Sequence, residues 1–375
     1  MLFHLSAIYG PAWMGFGYGD FLVDVTPLVT IGWVGVDLFF VLSGFLLTTH
    51  LIENAELKRY AAARFRRVFP AYWAQILILL AIAWTVQGAA PAWVRFLPLH
   101  AVMAHNLTLE SNFAINAVYW TLPIELGFYI CLPALVKVLV AHGMEPRRLL
   151  VRMVVMLAAI MALALVYRIV VFRAFEPHSV LAIVWAMTQI PGSLDQFAMG
   201  MLAAVVFRRL KLDPAWAGRV STEHLSTLLF LLGMSGTLGM MYLVHHTPDY
   251  WSGSKVVYIW YVTTCAFLAL VILAIALSSR ITRVLFENRA MVFLGTVSYS
   301  IYLWHYPVSE LVAKQLGLAS TGRVTFALAA FAATVAVASL SYYAIERPFM
   351  QWGSRGRNRT RPAIEAGTET TPKAW

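Results

Sequence analysis

Residues 256–277 read VVYIWYVTTCAFLALVILAIAL, a run with no Asp, Glu, Lys, Arg or His. As a helix rising about 1.5 Å per residue it is about 33 Å long, which matches the hydrocarbon core of a bilayer. Working outward, similar runs predict helices at 1–9 (the back half of one), 28–48, 68–86, 117–136, 149–172, 180–207, 226–244, 291–312 and 324–345. The predicted fold class is all-α: a polytopic integral membrane helical bundle of about ten transmembrane helices, the first one partial. Residues 1–346 form one transmembrane domain, and 347–375 a basic, disordered cytoplasmic tail.

Composition agrees. Of 375 residues 60% are hydrophobic and 12% charged, against roughly 25% charged in a soluble domain. The net charge of +10 would suggest nucleic acid if it lay on a soluble surface, yet 22 of the 28 basic residues sit on alternate loops. They include Lys58 to Arg67, Lys137 to Arg152, Arg208 to Arg219, Arg280 to Arg289 and the tail. The positive-inside rule assigns these loops to the cytoplasm, and an even number of crossings puts both termini there, in a cell (inner) membrane. The partner implied is the lipid bilayer, not nucleic acid.

Cys131 and Cys265 lie inside apolar runs without a Cys or His at ligand spacing, so neither a disulfide framework nor a metal site is expected. The first nine residues lack a basic leader and a cleavage site, so no cleavable signal peptide is expected. Pro191-Gly192 interrupts the sixth run and predicts a broken or re-entrant helix. Residues 88–116, the longest outer loop, are expected at the membrane interface.

Ionisable side chains at mid-bilayer cost about 2.5–3.5 kcal/mol each. The runs hold few: His4, Asp37, Glu125, Asp195 and His305, with Arg168 near an outer end. Counting about 1.5 Å per residue puts Glu125 about 12 Å and Asp37 about 13 Å below their outer helix starts, and His305 about 21 Å above its inner start. The three fall in one layer of the outer half, which His4 can join. A histidine beside a carboxylate at that depth suits a general base; the other reading is helix–helix hydrogen-bond anchors. Arg64-Phe65-Arg66-Arg67, at the inner mouth of the third helix, is either a topogenic cluster or a phosphate clamp, and spacing alone favours the former. Gly35, Ser43 and Gly44 stand among bulky residues in Gly32 to Leu47, which lets helices approach closely. Ser298 to Pro307 crowds hydroxyls and aromatics that serve either as a membrane belt or as platforms for sugars.

These stretches resemble the acyltransferase-3 family of membrane acyltransferases over nearly the whole chain. The resemblance rests on Gly32 to Leu47, Arg64-x-x-Arg67 with Val68-Phe69-Pro70-Ala71-Tyr72-Trp73, and Trp120-Thr121-Leu122-Pro123-Ile124-Glu125 with Phe128-Tyr129 and Pro133. It continues through Asp195 to Gly200, Ser298 to Pro307 and Glu346-Arg347-Pro348. It implies transfer of an acyl group, usually acetyl from acetyl-CoA, to carbohydrate or another hydroxyl-bearing acceptor. It also implies that His4 is catalytic and that Arg64 and Arg67 handle the donor. The family's first helix carries an Arg or Lys eleven positions before that histidine, a position preceding Met1 here. No hydrolase-like domain is expected after the last helix, and a second transfer step is then expected of a separate protein.

The expected mechanism has acyl-CoA as co-substrate with no bound cofactor, a carbohydrate or glycolipid acceptor, and direct attack after deprotonation by His4. Glu125 or Asp37 orients the imidazole, while His305, Tyr302 and Trp120 line the acceptor side. The competing class is a transporter or flippase for a lipid-linked sugar, in which the buried carboxylates are proton or substrate sites.

Overall fold

The computed structural model describes residue 4 and residues 26–53, 56–139, 146–175, 180–212, 221–247, 256–316 and 323–355. These form a helical bundle: α1 (Val34–Glu53), α2 (Leu57–Gln87), α3 (Thr121–Leu139), α4 (Pro146–Phe175), α5 (Val180–Met187), α6 (Ile190–Leu212), α7 (Thr222–His245), α8 (Val256–Leu277), α9 (Ser298–Leu316), α10 (Arg323–Ser341) and α11 (Arg347–Arg355). Among the described residues, 8 helices are long and apolar enough to cross a membrane. The chain is a polytopic helical membrane bundle, as the run pattern predicts. The 19-residue α9 is not among those eight; its polar face carries much of the site.

A close-packed seam joins α1 and α6. A Cβ on Gly44 would stand 2.2 Å from the Phe197 carbonyl oxygen, and one on Gly200 1.9 Å from that of Val41. Only glycine permits such backbone contact. Gly35, expected to share this task, faces open space. Phe128 of α3 stacks on Phe197 with ring centroids 3.9 Å apart, and Phe40 meets the same ring, so the seam continues into a core shared by α1, α3 and α6.

Two elements differ from expectation, and one break falls where it was expected. α2 begins at Leu57, not at 68, so Arg64 to Arg67 lie within the helix; Ala61-Ala62-Ala63 and the flanking long side chains are strong helix formers. The sixth run does break, between α5 and α6 at Thr188-Gln189, which places Pro191 in the first turn of α6, where a missing N–H is harmless. Helix continues through α11 to Arg355, where the sequence predicts the disordered tail to have begun at 347; residues 356–375 lie outside those described.

The segment after α2 is not an interfacial strap. It folds back along α2: Trp73 Nε1 donates to the Ala101 carbonyl at 2.9 Å, and the Tyr119 hydroxyl to Gln75 Oε1 at 2.8 Å. Those contacts are 12–14 residues short of the Gln87 end, about 18–21 Å down the helix and inside the apolar span Leu57–Val86. Irregular backbone survives at such depth only when protein covers it, and here polar side chains supply the bonds. His100 and His105 stack with centroids 4.1 Å apart, both facing the Tyr72 hydroxyl, at 3.0 and 3.4 Å. Their Nε2 atoms meet the Ser111 and Tyr119 carbonyls at 3.1 and 3.0 Å. Both rings are fully buried. Burial, and next the facing His105 ring, pull His100 down to about 3; burial pulls His105 down to about 4.

Candidate active site

His4 and His305 meet inside the bundle. His4 Nδ1 lies 2.9 Å from His305 Nε2, and Tyr306 stands edge-on to the His4 ring with centroids 5.5 Å apart. On the other side of its ring, His305 Nδ1 is 2.7 Å from the Tyr302 carbonyl oxygen and 3.2 Å from that of Ile301. A carbonyl only accepts, so His305 Nδ1 carries the hydrogen, and the neutral ring keeps its lone pair on Nε2. That lone pair takes the Nδ1–H of a neutral His4, which leaves the His4 lone pair on Nε2. In this pair Nε2 is the basic nitrogen of His4, and His305 meets the ring on its Nδ1 side.

Tyr302 ties this pair to its surroundings. Its hydroxyl donates to the Val118 carbonyl at 2.5 Å and lies 2.6 Å from Thr121 Oγ1, while its ring stacks on Phe39 of α1. Trp120, just before α3, is half-buried against the core of α1, α3 and α6.

Glu125 sits in a cavity of about 500 Å³ between α2 and α3, lined among others by Tyr60, Arg64, Phe69 and Tyr129, a volume in the range of small-molecule sites. Glu125 is buried and accepts the Tyr129 hydroxyl. Pro133 leaves the Tyr129 carbonyl without its helical donor, and the Tyr60 hydroxyl approaches that carbonyl at 3.3 Å. The Arg64 guanidinium stands 5.9 Å from the Tyr129 ring centre, and its buried Nε has no hydrogen-bond partner among the described residues. Arg67 turns away: its Nη1 is 3.9 Å from the buried Glu346 and 3.5 Å from Met350 Sδ, and Glu346 also accepts the Ser300 hydroxyl.

Asp37 belongs to a third cluster. Gln196 Nε2 donates to its Oδ1 at 3.0 Å and Trp260 Nε1 to its Oδ2 at 3.1 Å. Next to it, fully buried Arg168 grips Asp195 with both terminal nitrogens, at 3.0 and 2.5 Å, and donates to the Gly192 carbonyl at 2.7 Å. The Tyr261 ring lies 4.4 Å under the guanidinium.

Residues 2–343 match the family described as acyltransferase domain. The chain belongs to the acyltransferase-3 family. It is similar to the peptidoglycan O-acetyltransferase OatA of Listeria monocytogenes, 27% identical over 354 residues, covering 86% of this chain and 52% of the relative. It is also similar to the O-acetyltransferase OatA of Staphylococcus aureus, 24% identical over 346 residues, covering 86% and 53%. This chain thus spans about half the length of each of these two relatives. No solved structure matches it.

Within this acyltransferase-3 chain, Arg67 stands apart at Glu346 and Trp120 packs on the core of α1, α3 and α6, while the other residues singled out as site residues divide into three groups. His4, His305 and Tyr302 come together; Glu125 and Arg64 share the cavity; Asp37 bonds to Gln196 and Trp260. The group facing His4 Nδ1 is a second imidazole, where the sequence reading expects a carboxylate. Trp260 as a partner of Asp37 had no sequence signal, since a tryptophan in an apolar run reads as packing. Gln75 did have one: it is a lone amide in the third apolar run.

Proposed function

We propose that this chain is a membrane O-acyltransferase that passes an acyl group, acetyl by default, from acyl-CoA to a hydroxyl of a carbohydrate or glycolipid acceptor. The observation that carries the reading is the His4–His305 pair in a chain matching an acyltransferase domain. Peptidoglycan, which the Listeria relative is named for, is the first acceptor to test. The positive-inside pattern supports placing Arg64 and Arg67 on the cytoplasmic side of a cell membrane, together with both termini.

Acyl-CoA enters from that side, its phosphates held by Arg64 at the cavity and by Arg67, released from Glu346, one turn along. The acceptor hydroxyl passes its proton to His4 Nε2 as its oxygen attacks the thioester carbonyl. The carbon–sulfur bond breaks, and the leaving thiolate takes the proton back from His4. His305 holds the His4 tautomer throughout. Glu125 sits where it balances the arginines at the cavity; Tyr302 and Trp120 border the acceptor side, and Asp37 braces α1 against α6.

Membranes carrying the full chain, given acetyl-labelled acetyl-CoA, test the reading. His4→Ala is expected to reduce label transfer to envelope glycan by about 100-fold or more, and His305→Ala to impair it as well. Wild-type transfer by both variants at equal expression overturns the mechanism. Movement of a sugar lipid without acyl-CoA and with no new ester would replace it with the transporter class.

A further inference from the structure

Pro307 lies inside α9. A helical proline brings no N–H and crowds the carbonyl four residues back, which here belongs to Leu303. That carbonyl receives two buried side-chain amides from other elements: Gln75 Nε2 of α2 at 2.7 Å and Asn116 Nδ2 of the folded-back segment at 3.0 Å. Each amide is held at its other end as well. Gln75 Oε1 accepts the Tyr119 hydroxyl at 2.8 Å, and Asn116 Oδ1 the Val118 N–H at 3.3 Å.

One donor would satisfy the freed carbonyl; two, arriving from different directions, fix where it points. The same turn of α9 carries Tyr302, whose carbonyl takes the Nδ1–H of His305. The direction of this turn therefore sets the plane and the tautomer of the ring that meets His4. We infer that Gln75 and Asn116 are positioning residues for the histidine pair, acting through the Leu303 carbonyl that Pro307 leaves open. This rests on the acyl-transfer reading, because it assigns the pair a proton to handle.

The test compares the wild type with Gln75→Leu/Asn116→Leu, Pro307→Ala and the triple variant, each as the full chain in membranes with labelled acetyl-CoA. Removing both amides is expected to lower kcat by about tenfold or more, with the donor KM unchanged within about twofold, as misoriented catalytic groups do. Pro307→Ala alone returns a backbone donor to Leu303 and stays near wild type. Added to the double variant it restores most of the lost kcat. Damage that came only from the orphaned Tyr119 hydroxyl would not be rescued this way, so a triple variant as slow as the double overturns the inference.

Solid-state NMR of ring-15N histidine supplies a readout independent of turnover. The double variant is expected to lose the protonated-Nδ1 signature of His305, identified through His305→Gln, and the triple variant to regain it. An unchanged signature in the double variant also overturns the inference. If His4→Ala and His305→Ala retain transfer while the tautomer still responds, the acyl-transfer mechanism falls and the positioning network stands. Asn116→Leu alone, keeping Gln75 and Tyr119 paired, gives an intermediate loss should the double variant fail to insert.

Discussion

Replacing Gly200 by alanine forces a choice between backbone and side chain that the α1–α6 seam cannot evade. The new Cβ would stand 1.9 Å from the Val41 carbonyl oxygen, and ordinary contact begins at 3.4 Å, so the helices must separate by about 1.5 Å. Gly44→Ala demands about 1.2 Å against the Phe197 carbonyl, from 2.2 Å. Overpacking costs about 1–3 kcal/mol, and with backbone on the receiving side the upper end applies. Separation also stretches the 3.0 Å Gln196–Asp37 hydrogen bond, worth about 1.5–3 kcal/mol if the carboxylate is charged. The total for Gly200→Ala is about 4–6 kcal/mol, and somewhat less for Gly44→Ala. Tryptophan-fluorescence melting of the detergent-solubilised chain is the assay. Gly35→Ala on the same helix is the control: its Cβ meets nothing within 4 Å, so it should be neutral or slightly stabilising. If Gly200→Ala melts with Gly35→Ala, the seam is not close-packed and the reasoning fails.

Other outcomes follow from the buried charges and rings. The unfolded chain takes up protons on its histidines as the pH falls through 6.5, whereas folded His100 and His105 resist to about 3 and about 4, so the folded state binds fewer protons across that window. Stability present at neutral pH is therefore lost on acidification, by about 2 kcal/mol per ring at pH 5. Melting temperature should fall more steeply from pH 7.5 to 5 in the wild type than in His100→Gln/His105→Gln, and equal slopes would clear the rings of this role. Arg168→Leu strands Asp195 in the interior and should cost about 3–5 kcal/mol, with much of the loss recovered by adding Asp195→Leu. A double variant no more stable than the single would mean that Asp195 is otherwise satisfied.

The fold was largely legible because lipid imposes its demand locally: each span must satisfy its own backbone, and that requirement is written in run length and hydropathy. The break at Pro191, the family and the close contact at Gly44 came from the same local signals. What the runs did not contain was the neighbourhood of each helix. Whether Gly35 or Gly44 meets another backbone depends on which face turns toward α6, and the basic charge that made 57–67 read as a loop is equally at home on the first turns of α2. Residues 88–116 looked like an interfacial strap because several of their polar groups find partners remote in sequence: His100 and His105 at Tyr72, Asn106 at Gln189, and Asn116 at the Leu303 carbonyl. Depth alone could bring His4, Glu125, Asp37 and His305 to one layer. Only the packing of helices around one another decided that His4 faces a second histidine while the two carboxylates turn to Tyr129, Gln196 and Trp260, since rotation about a helix axis is set by side chains on other elements.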